Sequence, residues 1–222
     1  MKTLDEYAVL IAERVHKQFD VAFREQCKDR LKYWRSTLVK EAIEKNPNSK
    51  KYFTQTIYMP MEDRLDTDCT GIDCIPTSTT ISVSKFPVPQ TVRSGKIYEY
   101  LGAINGKNPY MEGTAAMGEI LSHGRFPIPV YWKWNAKVAV NKASIPMVMI
   151  QDVFEDPEVA RMFECIGGNG DCTPDESWIF PISGDIAQKA IQAIYQIDFG
   201  LDRGKEQKIE IVTSQMDVNK KA

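Results

Sequence analysis

The sequence predicts an α+β protein, and three observations carry that prediction. Residues 1–46 contain neither Gly nor Pro, residues 52–150 break into short runs rich in β-branched and aromatic side chains, and residues 151–200 return to helical spacing. In order along the chain this reads as a long N-terminal helical segment, a central antiparallel β-rich region, a C-terminal helix and an extended arm over 201–222.

In the first segment Leu4, Tyr7, Ala8, Ile11, Val15, Phe19, Ala22 and Phe23 recur at the three-to-four spacing of one helix face. Thr3 followed by Glu6 matches a capping box, in which each side chain accepts a hydrogen bond from an amide left unpaired at the helix start. The stripe continues through Cys27, Leu31, Trp34, Leu38 and Ala42, with Arg24, Lys28, Lys32 and Arg35 on other faces. Asp20 is a point where the run can divide into two helices. Asn46-Pro47-Asn48-Ser49 ends the block, because the residue before proline is pushed out of the helical region and Asn favours turns.

The β-favouring runs are 52–58, 79–83, 97–101, 130–134 and 146–150, punctuated by Pro87, Pro89, Gly95, Gly113, Gly124, Pro127 and Pro129. That spacing predicts an antiparallel sheet or small barrel with long loops. Ile104-Asn105-Gly106-Lys107 and Trp134-Asn135-Ala136-Lys137 read as hairpin turns, the first more strongly because Asn-Gly tolerates positive φ at both central positions.

After Pro157 a short helix is expected, then a loop through Gly167-Gly168-Asn169-Gly170-Asp171. A last helix follows with Ile186, Ala190, Ile194 and Ile197 on one face, capped by Ser183 or Asp185 and stopped by Gly200. In the arm, Lys208-Ile209-Glu210-Ile211-Val212 alternates in a way suited to adding a strand to a neighbour's sheet edge.

The chain has 222 residues, 43% of them hydrophobic and 26% charged, enough for a sizeable core. A net charge of −2 offers no basic field for gripping nucleic acid, although DNA can still pass through a channel it lines. Met1–Tyr7 lacks the apolar core of a signal peptide, and no run approaches the roughly 18 apolar residues of a membrane span. The chain therefore reads as made in cytoplasm and not bound to membrane. Its five cysteines, Cys27, Cys69, Cys74, Cys165 and Cys172, are expected to be reduced thiols.

Several segments invite chemistry. Gly102-Ala103-Ile104-Asn105-Gly106-Lys107-Asn108 resembles a phosphate loop, but it has one residue too few between its glycines and Asn108 where a hydroxyl belongs, so a hairpin turn explains it better. Asp66-Thr67-Asp68-Cys69-Thr70-Gly71 starts like a calcium loop and lacks its closing Glu, with Thr77 in that place. Cys69/Cys74 and Cys165/Cys172 can in principle meet as a zinc site, yet the second spacing exceeds that of zinc knuckles.

His16 falls inside the long helix, and His123 sits in a loop with no nucleophile motif beside it. Glu155, Asp156 and Glu158 read as a helix start, with Asp capping, Pro157 at the first position and Glu at the positive end of the dipole. Trp132 and Trp134 share one strand face and make the best residue-level case for ligand stacking, set against core or subunit-interface packing. No catalytic, cofactor-binding or metal-ligating residue is assigned.

One resemblance covers most of the chain. The run Met147-Val148-Met149-Ile150-Gln151-Asp152-Val153-Phe154-Glu155-Asp156-Pro157-Glu158-Val159 carries it first. Trp178-Ile179-Phe180-Pro181-Ile182-Ser183-Gly184-Asp185, the helical block ending at Asn46-Pro47 and the turn Lys85-Phe86-Pro87-Val88-Pro89 complete it. Together these resemble the ring structural proteins of the head-to-tail connector in crAss-like tailed bacteriophages. The resemblance implies a non-enzymatic virion protein at the head-tail interface, without metal or cofactor. It implies a homododecamer that contacts the portal and neighbouring ring or tail proteins and passes DNA through its channel. Such a ring closes by rotation and needs two different complementary faces on each subunit. A phage-encoded hydrolase, or a carbohydrate-binding tail module using Trp132, Trp134 or Trp178, are the alternatives.

Overall fold

A computed structural model describes residues 2–65, 80–92, 97–122, 128–166, 172 and 178–200. The fold is α+β, with helices at both ends and a mixed sheet between them. It divides into two compact units, Met1–Glu41 with the segment from Ile179 on, and Ala42–Trp178.

In the first unit α1 spans Leu4–Arg14 and α2 spans Val21–Lys45, which continues into the second unit. The capping box forms as the spacing requires: Glu6 N donates to Thr3 Oγ1 at 3.2 Å, and Thr3 N to Glu6 Oε2 at 2.8 Å. The helical run is not continuous. Lys17 N donates to Ala12 O at 2.9 Å, and His16 takes a left-handed φ of 58°, so it belongs to a turn and not to a helix interior. Asp20 then restarts the helix, its Oδ1 accepting from Phe23 N at 3.0 Å. The break carries Phe19 out of the apolar stripe to 90% exposure.

Along α2, Cys27, Leu31, Arg35 and Val39 are the buried positions, four residues apart on one face. Arg35, expected on an outer face, is wholly buried. The last helix, called α5 below, spans Gly184–Ala193 and widens into a π-helical turn over Ile194–Asp198. Ile186, Ala190, Ile194 and Tyr195 are buried, whereas Ile197 is exposed, because the wider turn shifts the stripe by one position. Ser183 stands at the N-cap without the expected side-chain bond. Gly200, at φ 63°, follows the final turn. Asp198 accepts from Trp34 Nε1 at 2.9 Å and pairs with Arg30 at 3.4 Å, and Tyr195 donates its hydroxyl to Ile11 O at 3.1 Å.

The second unit opens with a 3-10 turn over Pro47–Tyr52, so the first strand starts later than the sequence suggests. Its strands are β1 (Gln55–Leu65), β2 (Thr80–Ser84), β3 (Tyr100–Gly102), β4 (Met111–Glu112), β5 (Val130–Trp134), β6 (Lys137–Val140) and β7 (Met147–Asp152). α3 spans Ala115–Ser122 and α4 spans Pro157–Arg161. The sheet order is β3-β7-β1-β2-β6-β5-β4.

One pair departs from the expected antiparallel pattern: β4 and β5 run parallel, with Met111 opposite Val130. Pro60 marks a change of partner in β1. Residues 55–60 pair with β7 and 61–65 with β2, and Pro60 has no amide to offer a ladder at that switch.

The sheet closes on itself. Tyr110 N donates to Leu101 O at 2.8 Å and Ala103 N to Asn108 O at 3.1 Å, with Gly102 bridged to Pro109. The same segment then enters β4 and pairs with β5, so one stretch of backbone joins both ends of the strand order into a barrel. Closure removes the open edges at which other chains add strands. Gly102 is fitted to this seam, since a Cβ there would lie 2.3 Å from Asn108 O and 2.9 Å from Pro109 Cα. Both obstacles are backbone and neither can rotate away. Gly102→Ala is expected to cost about 1–3 kcal/mol through overpacking, seen as a lower urea midpoint. An unchanged midpoint would show that the seam gives easily.

The barrel interior holds Ile57, Met59, Leu101, Tyr131, Val140, Val148, Ile150 and Phe154, with Phe163 of the chain after α4 against it. Ser82 and Ser84 of β2 face the same side, and each hydroxyl is satisfied there. Ser82 Oγ meets Lys142 O at 2.7 Å and Asp63 at 2.9 Å, and Ser84 Oγ donates to Phe86 O at 2.9 Å while accepting from Val138 N at 3.2 Å. Asp63 also accepts from Ser144 N at 2.8 Å. That amide first, and the Ser82 hydroxyl second, hold its carboxyl below the ordinary carboxylate range.

Candidate functional site

Of the segments that invited chemistry, the phosphate-like loop is a turn whose amides are occupied internally. Gly106 N donates to Ala103 O at 3.0 Å and Lys107 N to Asn105 Oδ1 at 3.0 Å. Gly106 alone of the Asn-Gly pair has positive φ, at 69°. In the second hairpin Asn135 takes φ 55° between β5 and β6.

Asp156 begins α4 as its spacing requires, accepting from Glu158 N at 2.9 Å and Val159 N at 3.4 Å. That disposes the Glu155–Glu158 cluster as helix-start chemistry. The acidic loop 66–71, Cys69, Cys74, Thr77, His123, the loop 167–171 and the arm 201–222 lie outside the described residues. Among the described residues no group of three His, Cys, Asp or Glu side chains is placed to hold a metal ion, and no helix is long and apolar enough to cross a membrane.

The cysteines depart from expectation. Cys165 and Cys172 form a disulfide with their Cα atoms 6.0 Å apart, a separation within the normal range for a bridge. An odd cysteine count says nothing about whether two of the cysteines pair. Cys27 is a free thiol, buried in α2, and burial pushes its pKa up to about 11. It is a packing residue and not a nucleophile.

Trp132 and Trp134 do share a face, on the outside of the barrel. They pack on Ile81, Val83 and Ala139, with the Arg64 guanidinium 6.0 Å from the Trp134 ring centroid. α3 lies over β5. Asn141 fastens it there, donating from Nδ2 to Gly118 O at 2.7 Å while its Oδ1 accepts from Val130 N at 2.6 Å. Gly118 leaves room for the indole: a Cβ there would sit 3.1 Å from Trp132. The two indoles thus act mainly as packing, while Ile120 of α3 is 73% exposed. Trp178 is covered on one side by Arg161, 4.8 Å from its ring centroid.

Exposed apolar side chains recur on both units: Phe19, Val21, Tyr33 and Ile197 on the first, and Tyr52, Ile120, Ile128 and Ile166 on the second. Single exposed residues of this kind are ordinary, but side chains as large and as bare as Phe19 and Ile120 are what contact surfaces are made of.

Two charged sites escaped the sequence. Arg35 is wholly buried in the first unit, its Nε donating to Pro181 O at 2.9 Å and its guanidinium 5.8 Å from the Phe180 ring centroid. In the second unit Lys50, 8% exposed, and Asp152, 0% exposed, meet with Glu99 at one end of the barrel core. Asp152 carried a signal, since it is a lone acid between the apolar runs Val148–Ile150 and Val153–Phe154. Lys50 carried none, sitting beside Lys51 in a polar stretch.

No family model matches the sequence, and comparison with curated proteins finds no match.

Proposed function

We propose that this chain is a structural ring protein of a tailed bacteriophage, assembling as a closed dodecameric ring below the portal within the head-to-tail connector and its DNA conduit. The order and spacing of Met147–Val159, Trp178–Asp185 and the N-terminal helical block suggest it. The observation that best supports it is the presence of bare apolar side chains on two separate units, because a ring subunit must offer two unlike surfaces to its neighbours.

The closed barrel bears on how the arm would act. With the seam at Gly102 and Pro109 occupied and β4 two residues long, the described residues offer no long open edge for Lys208–Val212 of a neighbour. Contacts made through side chains are the better-supported mode.

The test is a pair of surface variants, Phe19→Glu and Ile120→Glu. Substitutions at such exposed positions are expected to change stability by no more than about 0.5 kcal/mol. At an assembly contact each removes a hot spot of about 2 kcal/mol, roughly 30-fold in affinity. Competition of variant against unaltered protein for incorporation into particles reads this out. Equal incorporation of both variants would remove the main support for the proposal.

A further inference from the structure

We propose that Lys50 and Asp152 become joined by an intramolecular amide bond, with Glu99 as the group that moves the protons. The three residues come from distant parts of the chain: the turn before β1, the approach to β3 and the last position of β7. The fold brings them together inside the second unit. Lys50 Nζ touches the Glu99 carboxylate and lies 3.7 Å from Asp152 Oδ1. An amine in contact with one carboxylate and at the threshold of a second has both a partner to receive its proton and a carbon to attack.

The surroundings suit the reaction. Asp152 is wholly buried, with Ile150 and Phe154 of the barrel core two residues to either side. The Tyr98 and Tyr131 phenols lie in the same interior. Burial is the main reason both are pushed up, Tyr131 to about 12, and the Asp152 carboxylate adds to it in each. In a medium of this kind a proton passes from the Lys50 ammonium to the neighbouring carboxylate at a lower cost than in water, which gives the neutral amine and carboxylic acid that react. Glu99 has a side chain 49% exposed. It therefore reaches from the buried pair to solvent, which gives the released water a way out.

The step balances without oxidant, metal or co-substrate. The Lys50 Nζ lone pair forms a bond to Asp152 Cγ, and Glu99 takes a proton from the nitrogen. Glu99 returns that proton to the departing hydroxyl, the C–O bond breaks, and one water leaves. The product is a neutral amide in place of a buried ion pair, so the desolvation cost of two charges disappears from the folded protein. It ties the turn before β1 to the end of β7, and β1 and β7 are already paired. The inference does not depend on the ring reading and stands or falls separately from it.

Intact-mass spectrometry of the full-length protein, reduced to open Cys165–Cys172, is the test. The expected result is a mass lower than that of the sequence by one water, and a proteolytic digest containing one branched peptide that joins the Lys50 and Asp152 segments. Glu99→Gln should keep the full mass, with circular dichroism confirming that it folds. Asp152→Asn supplies a second check, since an asparagine reacts by losing ammonia instead of water. The cross-linked variant should therefore have the same mass as the cross-linked parent. Folded parent protein at its full sequence mass, or a branched peptide at other residues, would overturn the proposal and leave Lys50, Glu99 and Asp152 as an ion cluster only.

Discussion

Replacing Phe154 by alanine is expected to destabilise the second unit by about 3–5 kcal/mol. Phe154 is among the largest wholly buried side chains and packs in the barrel core with Ile150, Ala160 and Phe163. Its backbone is pinned on both sides, by Val92 N to Val153 O at 2.9 Å and by Glu155 N to Gln90 O at 2.9 Å, so the site cannot collapse around a smaller residue. The loss combines the transfer energy of the ring with the cavity left behind, and it is a large share of the roughly 5–15 kcal/mol that a domain holds. A urea titration followed by circular dichroism should show the midpoint fall sharply. A midpoint within about 0.5 kcal/mol of the parent would mean that the barrel end repacks freely and that the core is misassigned.

Arg35→Ala is expected to be nearly as costly in the first unit, at about 3 kcal/mol. It combines the loss of a charged hydrogen bond, about 1.5–3 kcal/mol, with a cavity against Phe180. The Nε to Pro181 O bond of 2.9 Å holds the chain where it turns into α5, and removing it leaves a carbonyl without that donor. Arg35→Lys should not restore stability, because an ammonium has neither the planar fork nor the face that stacks on an aromatic ring. Thermal midpoints give the magnitude. Amide hydrogen exchange locates it, with faster exchange expected across Gly184–Ala193 in both variants. Parent-like stability of Arg35→Lys would reduce Arg35 to a simple point charge.

How far the fold could be read from the chain depended on whether a feature was local. Thr3 with Glu6, Asp156 with Pro157, and Gly200 each work within one helical turn, and each appears where its spacing places it. Asp20 was a candidate break and proved to be one.

What escaped was made by contacts distant in sequence. A two-residue parallel strand such as β4 leaves no periodicity to detect, so the closure of the sheet was invisible. The expected run ended at residue 58, whereas β1 continues through Pro60 to Leu65. Arg35 reads as solvent-facing until Pro181 and Phe180 arrive from the far end of the chain. Cys165 and Cys172 looked unpaired from their number alone. The candidate sites followed the same division. Local turn chemistry accounted for Glu155–Glu158 and the Asn105-Gly106 loop, while the meeting of Lys50, Glu99 and Asp152 required the folded barrel.

Assembly is tested most simply by sedimentation velocity of the chain alone and mixed with a portal ring. A ring protein of this kind is expected to sediment slowly as a monomer when isolated, and with the portal present to form a single fast species containing one copy of this chain for each portal subunit. A chain that stays at the monomer position with the portal ring present would contradict it.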